Sequence, residues 1–119
     1  TADLPLARPA DIAAIVDAGR PGPSVLLVPS SDGTGTNAML LRPPAALAPR
    51  LGPDSYARHA VQAARRGVTA DRLELPRLAL DIDTPADLIA LVRGGGECAT
   101  LRVCARLDVA GRLEAGSVL

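Results

Sequence analysis

An α/β layer fold is the architecture this sequence predicts, and three observations carry it. Residues that open and stop helices bracket three stretches with apolar positions at helical spacing. Between these lie short runs of Val, Leu and Ile bounded by proline or glycine, the pattern of buried strands. The two kinds of segment alternate along the chain, as they do where helices cover a sheet. The 119 residues, 48% of them hydrophobic, suffice for one compact core. Tyr56 is the sole aromatic, so that core is built from Leu, Val, Ile and Ala.

The first predicted helix is Pro9 to Ala18. Pro9 suits the first helical position, Asp11 favours the positive end of the dipole, and Gly19 stops the helix. Ile12, Ile15 and Val16 supply its buried stripe. Val25 to Val28, closed by Pro29, reads as a buried strand, Ser30 to Asn37 as a loop, and Ala38 to Leu41 as a second strand ended by Pro43-Pro44. A second helix is predicted from Asp54 to Arg66, with Gly67 as its stop and Ala57, Ala60, Val61 and Ala64 as its apolar side. Leu73 to Leu75 and Leu78 to Ile82 read as further strands. Thr84-Pro85-Ala86-Asp87 announces a third helix with an N-cap, a proline and a capping-box acid in place, and with Leu88, Leu91 and Val92 facing the core. Gly94-Gly95-Gly96 ends it and leads to a tail that forms one more helix or a loose end. The openings Pro9-Ala10-Asp11-Ile12 and Pro85-Ala86-Asp87-Leu88 are one local solution used twice.

Composition excludes several function classes. Formal net charge is zero, so no global field draws the chain to nucleic acid or an anionic membrane. A single aromatic gives no platform for base stacking. All 13 basic residues are Arg, which rules out a lysine-dependent phosphate loop. No apolar run approaches the ~20 residues that cross a bilayer. Cys98, Cys104 and the lone His59 are too few for a structural zinc site, and two free thiols in a reducing cytoplasm is the reading they favour.

Chemistry concentrates at four places. Asp81 and Asp83, at i and i+2 on a predicted strand, point the same way. Two such carboxylates repel unless a cation or a proton lies between them, and magnesium resolves that; the alternative is one acid capping the turn and one solvated. Asp3 is a weaker, single signal. The loop Ser30 to Asn37 offers hydroxyls and close-approaching backbone amides to an anion, or is an ordinary solvated turn. Its Gly33-x-Gly35-x-x-Ala38 is no dinucleotide fingerprint, because a strand and two prolines follow instead of a helix. Gly52-Pro53-Asp54-Ser55 heads the second helix, where free amides and a hydroxyl suit an anion. His59 lies one turn after Ser55, but a histidine without a partner reads as a surface residue.

Together these pieces resemble the 2-phospho-L-lactate or phosphoenolpyruvate guanylyltransferase family of coenzyme F-420 biosynthesis. The resemblance rests on Asp3-Leu4-Pro5-Leu6, Asp32-Gly33-Thr34-Gly35-Thr36-Asn37, Arg50-Leu51-Gly52-Pro53-Asp54-Ser55-Tyr56-Ala57-Arg58-His59 and Asp81-Ile82-Asp83-Thr84-Pro85. It implies a nucleotide-diphospho-sugar transferase fold, Rossmann-like and of the GT-A type. The implied reaction joins GMP from GTP to a small phosphorylated three-carbon acid and releases pyrophosphate. By motif, Thr36, Gly52 and Ser55 would hold that acid, and Asp3, Asp81 and Asp83 would bind Mg2+. Leu51 and Tyr56 stand where the family usually has phenylalanine. A molybdopterin-type nucleotidyltransferase shares only the Asp-Leu-Pro-Leu and Asp-x-Asp elements.

The resemblance covers the carboxyl-terminal, acceptor- and metal-binding part of such an enzyme, here residues 1–93, followed by a Gly-rich junction and tail, 94–119. The amino-terminal half, with the basic Gly-rich loop for GTP, has no counterpart in the 119 residues. The expectation is therefore a cytoplasmic fragment or separated half that does not transfer GMP alone and that pairs with an amino-terminal half, or a non-catalytic phosphate- or partner-binding module.

Overall fold

A computed structural model of the chain describes residues 3–116. In order come α1 (Pro9–Ala18), β1 (Ser24–Pro29), β2 (Thr36–Arg42), a 3-10 turn (Pro44–Ala46), α2 (Ser55–Arg65), β3 (Ala70–Arg72), α3 (Pro76–Ala79), α4 (Pro85–Gly94), α5 (Ala99–Arg106) and α6 (Val109–Gly116). The predicted α/β class holds. The chain divides into two compact units: Ala7–Ala79, and the stretches up to Leu6 and from Leu80 onward.

In the first unit three strands form a mixed sheet of order β2-β1-β3, with β1 antiparallel to β2 and parallel to β3. Every residue of β1 is buried, which is why it reads as an unbroken apolar run with no alternation. Val25 and Leu27 meet Ala46, Leu47 and Ala63 in the core, with Met39, Leu41, Tyr56 and Val68 packed around them. β2 starts at Thr36, two residues before the sequence predicts, so Thr36 sits at a strand end and not in the loop.

Two helix faces differ from expectation, for one physical reason. On α1 only Ile15 of the predicted stripe is buried, whereas Ile12 is 56% and Val16 48% exposed. The other buried position is Asp11, whose carboxylate accepts the Arg8 amide at 2.8 Å and two guanidinium nitrogens of Arg77 at 2.8–3.1 Å. The guanidinium holds its pKa below the usual carboxylate value. On α2, Ala57, Val61 and Ala64 face outward and Ala60 is half-buried, while Ser55, His59 and Ala63 face in. Gln62 explains part of this: its amide bonds Ala48 through both N–H and C=O, at 2.7 and 3.0 Å. In both helices a polar side chain with a fitting partner outcompetes an apolar one for the inward position.

The predicted strands Leu73–Leu75 and Leu78–Ile82 are absent. The strand is β3, slightly earlier, and Pro76 opens the short α3, which buries Leu78. Asp81 to Asp83 follow outside any strand, with the Ile82 amide donating to the Asp3 carbonyl at 3.0 Å and the Asp83 amide to the Asp87 carboxylate at 3.1 Å.

In the second unit α4 begins as predicted. Thr84 caps it, and Asp87 reaches back to the Thr84 amide at 2.8 Å. Leu91 is buried and Leu88 and Val92 are half-buried. The tail beyond the glycines is two helices, α5 and α6, packed with α4; Ser117 to Leu119 lie outside the described residues. Cys98 and Cys104 are free thiols, as expected. No helix among the described residues is long and apolar enough to cross a membrane.

The buried strand and the misassigned stripe of α1 make opposite predictions. Leu27→Ala, at a fully buried position, is expected to cost about 3 kcal/mol in urea unfolding. Ile12→Ala should cost less than about 0.5 kcal/mol, because its side chain stays half in water.

Candidate functional site

The loop from β1 to β2 is organised by Asp32. One carboxylate oxygen accepts the Ser30 hydroxyl at 2.7 Å, the Thr34 hydroxyl at 2.8 Å and the Thr34 amide at 2.9 Å. Those donors, the Thr34 amide foremost, hold its pKa at about 2. Ser30 closes the loop, its hydroxyl accepting the Gly35 amide at 2.8 Å and its amide donating to the Gly35 carbonyl at 3.0 Å. A Cβ at Gly35 would lie 3.0 Å from the Ser30 oxygen, so this glycine is required by close approach. Asn37 anchors the far side by donating to the carbonyls of Leu78 and Ala79. The segment is thus an internally bonded loop whose Ser31, Asp32 and Thr34 remain exposed.

This loop delivers Thr36 to the head of α2. The Thr36 amide donates to the Ser55 hydroxyl oxygen at 2.9 Å, and the two hydroxyls lie 3.4 Å apart. The Tyr56 amide donates to the Thr34 carbonyl, and the Ser55 amide to the Gly52 carbonyl. Gly52 has φ of 114°, a conformation that a side chain would strain, so the bend that presents the helix start depends on it. Asp54 makes no side-chain cap. Of the residues that the sequence singles out, Thr36, Gly52 and Ser55 therefore converge in one place.

His59 corrects the sequence reading. It is fully buried, not a surface residue. Its Nε2 accepts the Arg50 amide at 2.8 Å, which leaves the ring proton on Nδ1, 2.9 Å from the Thr36 hydroxyl oxygen. Burial, and then the charge of Arg58, push its pKa below the usual histidine value. The spacing of Ser55 and His59 was visible in the sequence; their common partner Thr36, 19 and 23 residues earlier, was not. Along the outer face of α2, Arg50, Arg58, Arg65 and Arg66 line a groove of about 620 Å³, so this face carries positive charge.

The acids Asp3, Asp81 and Asp83 belong to the second unit. The Asp81 carboxyl is hydrogen-bonded to Asp83 and raises its pKa above the usual value; burial and the charges of Asp3 and Asp87 push the same way. The i, i+2 spacing thus brings the carboxyls together although no strand carries them. Among the described residues no group of three or more His, Cys, Asp or Glu side chains is placed to hold a metal ion. Asp81 and Asp83 repel one another, and a cation between their carboxyls would relieve that.

A pH dependence follows from His59. The folded chain binds the imidazole proton less readily than the unfolded one. Its stability contribution is whole above the ordinary value of ~6.5 and is lost as pH falls from there through the folded pKa. Asp11, Asp32 and Asp87, all held low, stay charged over that window. The thermal unfolding midpoint is expected to fall between about pH 7 and 5, and His59→Gln to flatten that slope.

The chain resembles known proteins across nearly its whole length. The family model described as guanylyl transferase, CofC like, matches residues 1–118. The chain is 46% identical over 95 residues to the phosphoenolpyruvate guanylyltransferase of Rubrobacter xylanophilus, covering 80% of this chain and 46% of that protein. It is 45% identical over 92 residues to the protein of the same name in Conexibacter woesei, covering 75% and 40%. With the 3-phospho-D-glycerate guanylyltransferase of Colwellia psychrerythraea it shares 51% identity over 69 residues, 58% of this chain and 32% of that one. The chain thus spans about half the length of the curated relatives it matches. By the extent of these matches, the chain belongs to the CofC-like guanylyl transferase family.

Proposed function

We propose that this chain supplies the acceptor- and metal-binding part of a guanylyltransferase that joins GMP from GTP to phosphoenolpyruvate or a similar three-carbon phospho-acid in coenzyme F-420 biosynthesis. The observation that carries the reading is the pairing of Thr36 and Ser55 at the head of α2, joined by backbone and hydroxyl bonds. Two hydroxyls at the positive end of a helix, with arginines on that helix, suit a phosphate with a neighbouring carboxylate. The relatives' names supply the class of acceptor, phosphoenolpyruvate in some and 3-phospho-D-glycerate in others. 2-Phospho-L-lactate differs from these by a few atoms that the same donors would meet.

In the proposed reaction an oxygen of the acceptor's phosphate attacks the α-phosphorus of GTP. A new P–O–P link forms, and the bond to the pyrophosphate leaving group breaks. The nucleophile belongs to the substrate, so no activated side chain is required, and the protein's part is positioning and charge neutralisation. Asp81 and Asp83 would hold Mg2+, with Asp3 beside them. Bound there, the ion would neutralise charge on the phosphates. The mixed sheet and its covering helices support a nucleotide-diphospho-sugar transferase fold of the GT-A type. We place the GTP site in the remaining length of such an enzyme, on the same polypeptide or on a separate amino-terminal half. The free thiols support a cytoplasmic setting.

Calorimetric titration of the purified protein with phosphoenolpyruvate and magnesium tests this reading. Saturable binding is expected, with Ser55→Ala about tenfold weaker. A folded protein that takes up neither phosphoenolpyruvate nor 3-phosphoglycerate would end it. Separately, Asp83→Asn should weaken magnesium binding while leaving the unfolding midpoint unchanged or raised, because it removes one of two repelling carboxyls.

A further inference from the structure

Thr36 has an amide and a hydroxyl at the acceptor site, and the network around it decides which way the hydroxyl points. Its oxygen lies 2.9 Å from His59 Nδ1. The opposite ring nitrogen, Nε2, faces a backbone N–H, that of Arg50, at 2.8 Å. An amide can only donate, so Nε2 is an acceptor and carries no hydrogen. In the neutral ring the proton is then on Nδ1, and Nδ1 donates to Thr36. Burial favours the neutral form, since His59 is fully enclosed, and the charge of Arg58 acts in the same direction.

The consequence lies with the threonine. Its oxygen is already an acceptor, so its own hydrogen cannot turn toward His59. The Ser55 hydroxyl, 3.4 Å away, donates to that same threonine oxygen and itself accepts the Thr36 amide at 2.9 Å. Ser55 is buried and Thr36 is half-buried, so the threonine is the solvent-facing end of the relay. Its hydroxyl hydrogen is left for a ligand.

We propose that His59 is a positioning residue that holds the Thr36 hydroxyl as a donor to an anionic oxygen of the bound phospho-acid. The chain of order is Arg50 amide, imidazole, threonine hydroxyl, ligand. This rests on the acceptor-site reading above and adds to it a residue that need not touch the substrate. Such a relay favours an anionic acceptor oxygen over a hydroxyl group, because the anion can only accept.

Two amide replacements separate positioning from packing. In Gln the carbonyl reaches the place of Nε2 and keeps an acceptor for the Arg50 amide, with no donor toward Thr36. In Asn the amide nitrogen takes the place of Nδ1 and keeps that donor. His59→Gln is expected to bind phosphoenolpyruvate about tenfold more weakly, and His59→Asn to stay within about threefold of the unaltered protein. In a Thr36→Val background, His59→Gln should weaken binding no further, because the two act through one hydroxyl. Equal weakening by His59→Gln with and without the Thr36 hydroxyl, or an unchanged affinity in His59→Gln, would overturn the proposal. If the His59 variants do not fold, nitrogen-15 spectra of the imidazole in the unaltered protein decide: the neutral Nδ1–H form is expected, and the Nε2–H form or an imidazolium at neutral pH refutes it. Failure of the site reading itself looks different. In that case the unaltered protein ignores phosphoenolpyruvate, or Thr36→Val and Ser55→Ala bind it as well as the unaltered protein does.

Discussion

A neutral imidazole enclosed between β2 and α2 is the constraint around which the first unit is arranged. An enclosed ring with two nitrogens must have both satisfied, one by a donor and one by an acceptor. The Arg50 amide and the Thr36 hydroxyl meet those demands from opposite sides. To do so, the segment before α2 must return beside the helix, and β2 must begin at the helix's first turn. Ser55 then falls against the Thr36 amide, and the two hydroxyls stand together. The same requirement explains why α2 turns Ala57, Val61 and Ala64 outward: part of the inward side is taken by groups that have somewhere to bond.

The loop between β1 and β2 is built to the same tolerance. Asp32 gathers three donors onto one oxygen, Ser30 closes the ring against Gly35, and Asn37 fastens the exit to α3. Small residues here serve close approach and not flexibility. In the second unit the same economy of spacing appears in a different form. Asp81 and Asp83 sit two apart in the chain, close enough that one suppresses ionisation of the other. Ile82 between them is tied to the backbone of Asp3.

Helix boundaries were largely legible from the sequence, since their determinants are local. Pro9 and Gly19, Thr84 and Asp87, and Gly67 each act within one turn, and α1, α2 and α4 begin and end within a residue or two of the places they mark. The buried strand β1 was legible as well, because burial on both faces writes itself as an uninterrupted apolar run. The resemblance to the guanylyltransferase family singled out Thr36, Gly52, Ser55 and the paired acids, and the fold brings the first three of these together. The extent of the family match rests on those motifs and on the residues between them.

What the sequence by itself determined, then, was where helices start and stop, which strand is central, and which short motifs carry hydroxyls and carboxylates. Tertiary structure decided which face of each helix is buried, because that depends on partners remote in the chain. Asp11 turns inward only because Arg77, 66 residues later, is there to meet it, and so Ile12 and Val16 turn out. His59 is enclosed only because Arg50 and Thr36 supply a donor and an acceptor on either side. Hydrophobic periodicity assigns the inside to apolar groups, whereas a polar group with its hydrogen bonds met can be buried without the usual desolvation penalty. Whether those bonds can be met is a property of the folded chain, so the polar inner face that forms the candidate site was invisible until the chain was folded.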